Sequence, residues 1–202
     1  MKTQKSPGTP LQRLKSDAAS ASIAACALVL FDEKGFDSVT VDEIAAAAGI
    51  SRRSFFRYFS TKEDAVVGTH GAFGPRVAAA FAARSTSEGV WASLRQAFEV
   101  IADKVAEDPE AAARTMRVVY STASLRAYHM EKHNRWAVDL TPEVVKRLGD
   151  VGNQRTEAAA LVYSALACLD VALSRFARDP HAVPIHQLLD EAFGALAAHC
   201  RS

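Results

Sequence analysis

The chain has little from which to build an enzyme or a covalent framework. Its three cysteines, Cys26, Cys168 and Cys200, are odd in number, widely spaced and form no CxxC pair. That argues against a disulfide scaffold and for reduced thiols in a cytoplasm. There is no glycine-rich phosphate loop, no GxSxG elbow and no HExxH, and the acids and hydroxyls form no constellation with a shared face. Neither catalysis nor a cofactor is expected. Nothing at the N-terminus reads as a signal peptide, and the longest uncharged apolar run, Ala158–Leu169, is too short to span a bilayer. A soluble cytoplasmic protein without a membrane partner is the expectation. Charge of one sign is missing as well: the net charge is +1 over 202 residues. This is no generally basic coat for nucleic acid, so any DNA affinity must come from a local patch.

What is present is apolar periodicity. Hydrophobic residues make up 49% of the chain, enough for a sizeable core in one or two domains. They recur at helical spacing, and no period-two strand pattern appears, so the predicted fold class is all-α.

The densest local signal is TVDEIAAAAGISRRSFFRYFSTKED, Thr40–Asp64. Thr40 followed by Glu43 is a capping box that opens a short helix, with Ile44, Ala45 and Ala48 on its apolar face. Gly49 ends it, because a left-handed C-cap is cheapest without a side chain. Ser51 is a predicted N-cap for a second helix, Arg52–Tyr58. There Phe55, Phe56 and Phe59 face inward, leaving Arg52, Arg53 and Arg57 outside. Ser60 with Glu63 predicts a further capping box for a helix from Thr61. Two short helices joined by a tight turn with glycine form a helix-turn-helix, whose second helix presents its N-terminal residues to base edges in the major groove. Every charge between Ser51 and Lys62 is positive, as phosphate contact demands. The predicted DNA contacts are Thr40, Ser51, Arg52, Arg53, Ser54, Arg57, Tyr58 and Lys62.

Phe31, Gly35, Phe36, Val39, Thr40, Ile44, Ala45, Ala48, Gly49, Phe55, Phe56, Tyr58, Phe59, Lys62 and Glu63 together resemble the DNA-binding domain of the TetR family of bacterial repressors. The resemblance covers roughly Ala19 to Val66. It implies a repressor of a palindromic operator in double-stranded DNA, with an effector-binding domain after the helix-turn-helix. The domain reading that follows is 1–16 a disordered basic arm (Lys2, Lys5, Arg13, Lys15), 17–66 the DNA-binding domain, and 67–202 the effector-binding and dimerisation domain. The arm either follows the DNA backbone or minor groove or is a solubilising tail.

Downstream, a helix from Thr61 toward Arg84 is predicted to kink or split at Gly71, Gly74 and Pro75. Helices follow at about Ser87–Glu107, Pro109–Ser121 and Thr122–Asp139, then a short helical turn from Thr141-Pro142 closed by Gly149 and Gly152. The helix Thr156–Arg178 is apolar nearly all round. In the last helix, Ile185, Leu188, Leu189, Ala192, Phe193, Leu196 and Ala197 form one stripe. A chain of this size has little interior left to bury both, so Leu166, Leu169, Leu173, Leu189, Phe193 and Leu196 are assigned to a homodimer interface. Two helices from each subunit would form a four-helix bundle packed through Ala and Gly194; the alternative is an intramolecular hairpin.

Aromatic and thioether side chains are abundant in the middle helices. Phe73, Trp91, Phe98, Met116, Tyr120, Tyr128 and Trp136 are the predicted lining of an apolar ligand pocket. RVVYSTASLRAYHMEKHNRW also resembles regulators with acyl-coenzyme-A-like ligands, which would make Arg117 and Arg126 candidates for a phosphate or carboxylate. His129 and His133 lie four apart on a predicted helix. Beyond Glu131, which points to another face, no third ligand is near in sequence, so they are taken as surface or cavity histidines and no metal is assigned. The reading from another class is a DNA-binding interaction protein of the same fold that acts through a protein partner without a small-molecule effector.

Overall fold

Twelve buried apolar residues among the described ones form the first core. In α1 (Pro10–Lys34), Ile23, Ala24, Ala27 and Phe31 point inward at three-and-four spacing. They meet a short 3-10 turn (Phe36–Ser38), α2 (Val41–Ala47), α3 (Arg52–Tyr58) and α4 (Lys62–Val67). Phe36, Ile44, Phe55, Phe59 and Val66 fill the space between them. Each such side chain contributes about 1.5–3 kcal/mol on leaving water, which is what holds helices as short as α2 and α3. The computed structural model describes residues 10–67, 73–149 and 153–199. The chain divides into two compact units, Met1–Thr69 and His70–Ser202.

Local capping sets the first unit. Thr40 and Glu43 form the predicted box, with the Glu43 amide donating to Thr40 Oγ1 at 3.2 Å and the Thr40 amide donating to Glu43 Oε2 at 2.9 Å. The backbone donor of Thr40, and then the Lys34 ammonium, hold the Glu43 carboxyl down at about 2. Gly49 takes φ +66° in the turn, where a side chain would be strained. At α4 the box is shifted by one residue from the Ser60–Glu63 expectation. The Asp64 carboxylate accepts from the amides of Ser60 and Thr61, and Thr61 Oγ1 accepts from the Asp64 amide. α1 begins at Pro10 rather than Asp17, so residues 10–16 are helix and not a disordered arm; residues 1–9 of that arm lie outside the described residues.

The second unit comprises α5 (Phe73–Ala82), α6 (Val90–Ala97), α7 (Glu99–Glu107), α8 (Pro109–Ser121), α9 (Ala123–Leu148), α10 (Gln154–Arg178) and α11 (Ile185–His199). α10 lies at its centre, packed against α6, α8, α9 and α11. By length and composition alone α10 could cross a membrane, but here Val162, Leu166, Leu169, Leu173 and Phe176 are buried in the unit's core. Arg95, itself buried, ties α6 to α11 and α7: Nε donates to Asp190 Oδ1 at 2.8 Å and Nη1 to Glu99 Oε1 at 2.5 Å. No strand occurs among the described residues, in keeping with the all-helical prediction.

One predicted split is present and two predicted boundaries move. The expected helix Thr61–Arg84 is two, α4 and α5; Gly71 lies outside the described residues, while Gly74 and Pro75 sit in the first turn of α5, where proline is tolerated. Gly74 has a packing reason: a Cβ there would come 2.5 Å from Trp136 Cδ1. The helix predicted from Ser87 to Glu107 breaks at Phe98 (φ −77°, ψ −6°), whose ring is buried. The break expected near Thr141-Pro142 does not occur, and α9 runs through Pro142 to Leu148. An interior proline costs about 3 kcal/mol. Burial of Leu140 and Val144 on either side, each worth about 1.5–3 kcal/mol, offsets it.

Candidate nucleic-acid interface and effector cleft

α3 carries two opposed faces. Phe55 and Phe59 are buried, while Arg52, Arg53, Phe56 and Arg57 are exposed on the other side. Phe56, expected inside, is 46% exposed, because positions 52, 53, 56 and 57 share a helix face. Arg52 pairs with Asp42 at 2.8 Å and lies over the Phe56 ring at 5.6 Å, so its guanidinium is aimed by α2. Arg57 donates to the Tyr58 hydroxyl at 3.0 Å and lies over its ring. Among the described residues nothing holds Arg53, which leaves its fork free for a ligand outside the chain. Thr40 and Ser51 are exposed at the N-termini of α2 and α3 with their hydroxyls engaged in caps; Ser54 Oγ lies 3.0 Å from Ser51 Oγ.

Lys62 does not join this face. Its Nζ donates to the carbonyls of Phe36 at 2.9 Å and Val39 at 3.2 Å and sits 4.3 Å from the Phe36 ring centroid. The predicted phosphate contact is thus a clamp on the turn before α2. Lys62→Met should lower the stability of the first unit by roughly 1–2 kcal/mol, while the salt dependence of DNA binding keeps its slope. A slope shallower by about one would return Lys62 to the phosphate-contact set.

In the second unit the nine predicted ligand residues fall into three groups. Tyr120 and Arg126, with His129, Met130, Asp170 and Val171, line an open cleft of about 470 Å³ between α8, α9 and α10. Phe73, Met116 and Trp136 surround a separate internal cavity of only about 40 Å³. The remaining four line neither. The Trp91 Nε1–H donates to the Phe193 carbonyl at 3.1 Å and its ring packs on Phe193, as does that of Phe98. Arg117 is exposed and reaches the Ala177 carbonyl, and Tyr128 is half-buried. Arg126 is anchored by donating to the Tyr120 carbonyl at 2.8 Å, and Arg175 and Arg178 also border the cleft, giving an apolar cleft with a cationic rim.

The structure corrects the interface stripe. Leu166, Leu169, Leu173, Leu189 and Phe193 are all buried within the single chain, against α6 to α9, and only Leu196 of the six is exposed. Those residues form an intramolecular hairpin and core. The outward faces of the same helices are different: Ala160, Tyr163, Ala167 and Val171 on α10, and Gly194, Ala195 and Ala198 on α11.

The histidine pair is buried, and a partner comes from a distant part of the chain. His129 Nε2 lies 2.8 Å from Asp170 Oδ1, and His133 Nδ1 lies 3.3 Å from Asp170 Oδ2. Burial lowers the His129 imidazole despite that carboxylate. Burial would raise Asp170, but the two histidines outweigh it and hold the carboxyl below its ordinary range. Tyr120, whose hydroxyl is 3.4 Å from Asp170 Oδ1, is pushed up by burial and then by that charge. Lys132, buried with its Nζ 4.8 Å from the Trp136 ring centroid, is lowered to about 8 by burial.

Comparison with known proteins agrees with these two units. Residues 23–66 match the model of the bacterial regulatory proteins of the tetR family, and residues 88–201 match that of the MftR C-terminal domain, more than half of the chain. The chain belongs to the TetR family of bacterial transcriptional regulators, with a second unit of the MftR type. It is 30% identical over 129 residues to the transcriptional regulator MftR of Mycobacterium tuberculosis, a match spanning 63% of this chain and 64% of that protein. Among solved structures it resembles NalD, the secondary repressor of the MexAB-OprM multidrug efflux pump in Pseudomonas aeruginosa (TM-score 0.61, 17% identity, 92% of this chain and 96% of that one). FadR from Bacillus subtilis in complex with stearoyl-CoA is similar in fold (TM-score 0.60, 17% identity, 87% and 96%).

Proposed function

We propose that this chain is a homodimeric, ligand-responsive, sequence-specific repressor in the cytoplasm, and that it lets go of a palindromic operator when a largely apolar effector binds. The observation that carries the DNA half is the outward face of α3, where Arg52, Arg53, Phe56 and Arg57 stand exposed around a buried Phe55–Phe59 anchor. Arginine suits guanine edges and phosphates, and an exposed aromatic suits a thymine methyl. Two such helices related by a two-fold axis would enter successive major grooves roughly 34–36 Å apart.

The effector half rests on the cleft at Tyr120 and Arg126. Its 470 Å³ falls within the size of ligand sites, which are mostly apolar with a few polar groups. Arg126 and Arg178 on the rim, with Arg175 already paired to Glu191, favour an apolar ligand with an anionic head. The stearoyl-CoA bound to the B. subtilis FadR is of that chemistry, and it supports the class without naming the compound. The effector must bind the released state better than the DNA-competent one. A tenfold loss of operator affinity needs about 1.4 kcal/mol of that difference, and operator DNA must weaken the effector by the same factor. Operator binding measured against long-chain acyl thioesters, fatty acids and planar hydrophobic compounds tests the reading. At least one class should release DNA, and Tyr120→Ala should blunt that release while sparing ligand-free binding. No response to any class would favour a DNA-binding protein that acts through a protein partner.

A further inference from the structure

Beyond its place as a regulator, this chain holds a constellation that ordinary core packing does not account for. His129 and His133 project from one face of α9, one turn apart, toward Asp170 on α10, and both rings are 2% exposed. One nitrogen from each ring and one carboxylate oxygen lie within 4.8 Å of one another. Hydrogen bonding satisfies this group only in part: His129 Nε2 lies 2.8 Å from Asp170 Oδ1. Among the described residues His129 Nδ1 and both nitrogens of His133 have no hydrogen-bond partner, although His133 Nδ1 is only 3.3 Å from the carboxylate. Leaving buried polar groups without partners is costly, so a pair of imidazoles facing one carboxylate is poorly explained as filler.

We infer that His129, His133 and Asp170 form a binding site for a first-row divalent transition ion, Zn²⁺ above all. Two imidazoles and one carboxylate are a donor set suited to such ions, and histidines four apart on a helix can share one. A bound ion has donors at about 2.0–2.2 Å, so small side-chain rotations would close the three atoms around it. The carboxylate offsets part of the ion's charge. Lys132, a buried cation on the same helix, has its Nζ 4.8 Å from the Trp136 ring centroid. His129 and Asp170 also border the open cleft, so a fourth coordination position faces a space that water or an anionic ligand group can enter. Tyr120, with its hydroxyl 3.4 Å from Asp170 Oδ1, stands beside that position.

The test uses the full-length, tag-free protein stripped with a chelator and titrated with Co²⁺, then with competing Zn²⁺. One Co²⁺ per chain should bind with a visible d–d spectrum, free of the thiolate charge-transfer band that a cysteine ligand would give, and Zn²⁺ should displace it. Asp170→Asn and His133→Gln should each weaken binding by at least about 100-fold, the upper end of what loss of an outer-shell partner costs. His186→Gln, which breaks the more exposed Glu99–Asp103–His186 cluster, should leave it unchanged. The wild-type titration stands whether or not a variant folds. No d–d spectrum in the wild type, a sulfur-ligated one, or one that survives in folded Asp170→Asn and His133→Gln would overturn the site. None of these readouts involves DNA, so failure here leaves the repressor reading untouched.

Discussion

Ala167→Glu should leave the chain folded and convert it to a monomer that holds a palindromic site roughly 10²–10⁴-fold more weakly. Ala167 lies in the middle of the outward face of α10, between Tyr163 and Val171, and lines neither the cleft nor the internal cavity. That face is small and apolar: Val171 is 62% exposed and Tyr163 49%. α11 adds exposed Gly194, where a Cβ would meet nothing within 4 Å among the described residues. Two copies packing these faces about a two-fold axis would bury four helices closely. A carboxylate at the centre would then be desolvated without a partner. Two half-sites engaged together gain the avidity of a linked pair, and a monomer forfeits it. Light scattering reads the mass and a mobility-shift titration the affinity; a stable dimer of the variant would move the interface elsewhere. A charge at Phe193, by contrast, should unfold the second unit, because that ring is packed inside the chain against Trp91 and Phe98.

Arg53→Ala should cost about 1–3 kcal/mol of specific binding, roughly 5- to 150-fold, while binding to random duplexes falls far less. Arg52 is already engaged by Asp42 and Arg57 by Tyr58, whereas nothing among the described residues holds Arg53. A free fork near the N-terminus of a recognition helix is the group most able to make a bidentate contact with guanine. Arg52→Ala should have the smaller effect on discrimination, since its pairing with Asp42 already occupies part of its hydrogen-bonding capacity. An unchanged ratio of specific to random affinity in Arg53→Ala would remove this residue from base reading.

The DNA-binding unit was legible because its signals are local. The Thr40–Glu43 box, the left-handed Gly49 and the Ser51 cap each involve residues within a few positions of one another. Where two local solutions competed, sequence alone chose the wrong one: Ser60–Glu63 and Thr61–Asp64 both fit a box, and only the fold selects the second. Lys62 looked like one more basic residue, because its carbonyl partners lie more than twenty positions back in the chain. The α11 stripe shows a deeper limit. Periodicity identifies the apolar face of a helix but not whether the same chain or a second copy covers it. The same holds for the histidines, since Asp170 is 41 positions from His129 and meets it only when α9 and α10 pack together. The split of the pocket candidates between a cleft and a small internal cavity likewise depends on which face of each helix turns inward.

Sequence-specific recognition by α3 is measured most directly by selection from a random duplex library with the full-length protein. The predicted result is one enriched motif of two inverted half-sites centred about 10–10.5 base pairs apart, or a multiple of that. The motif should lose its enrichment when Arg53→Ala is used in place of the wild type. Recovery of no motif, or of the same motif at equal strength with Arg53→Ala, would contradict it.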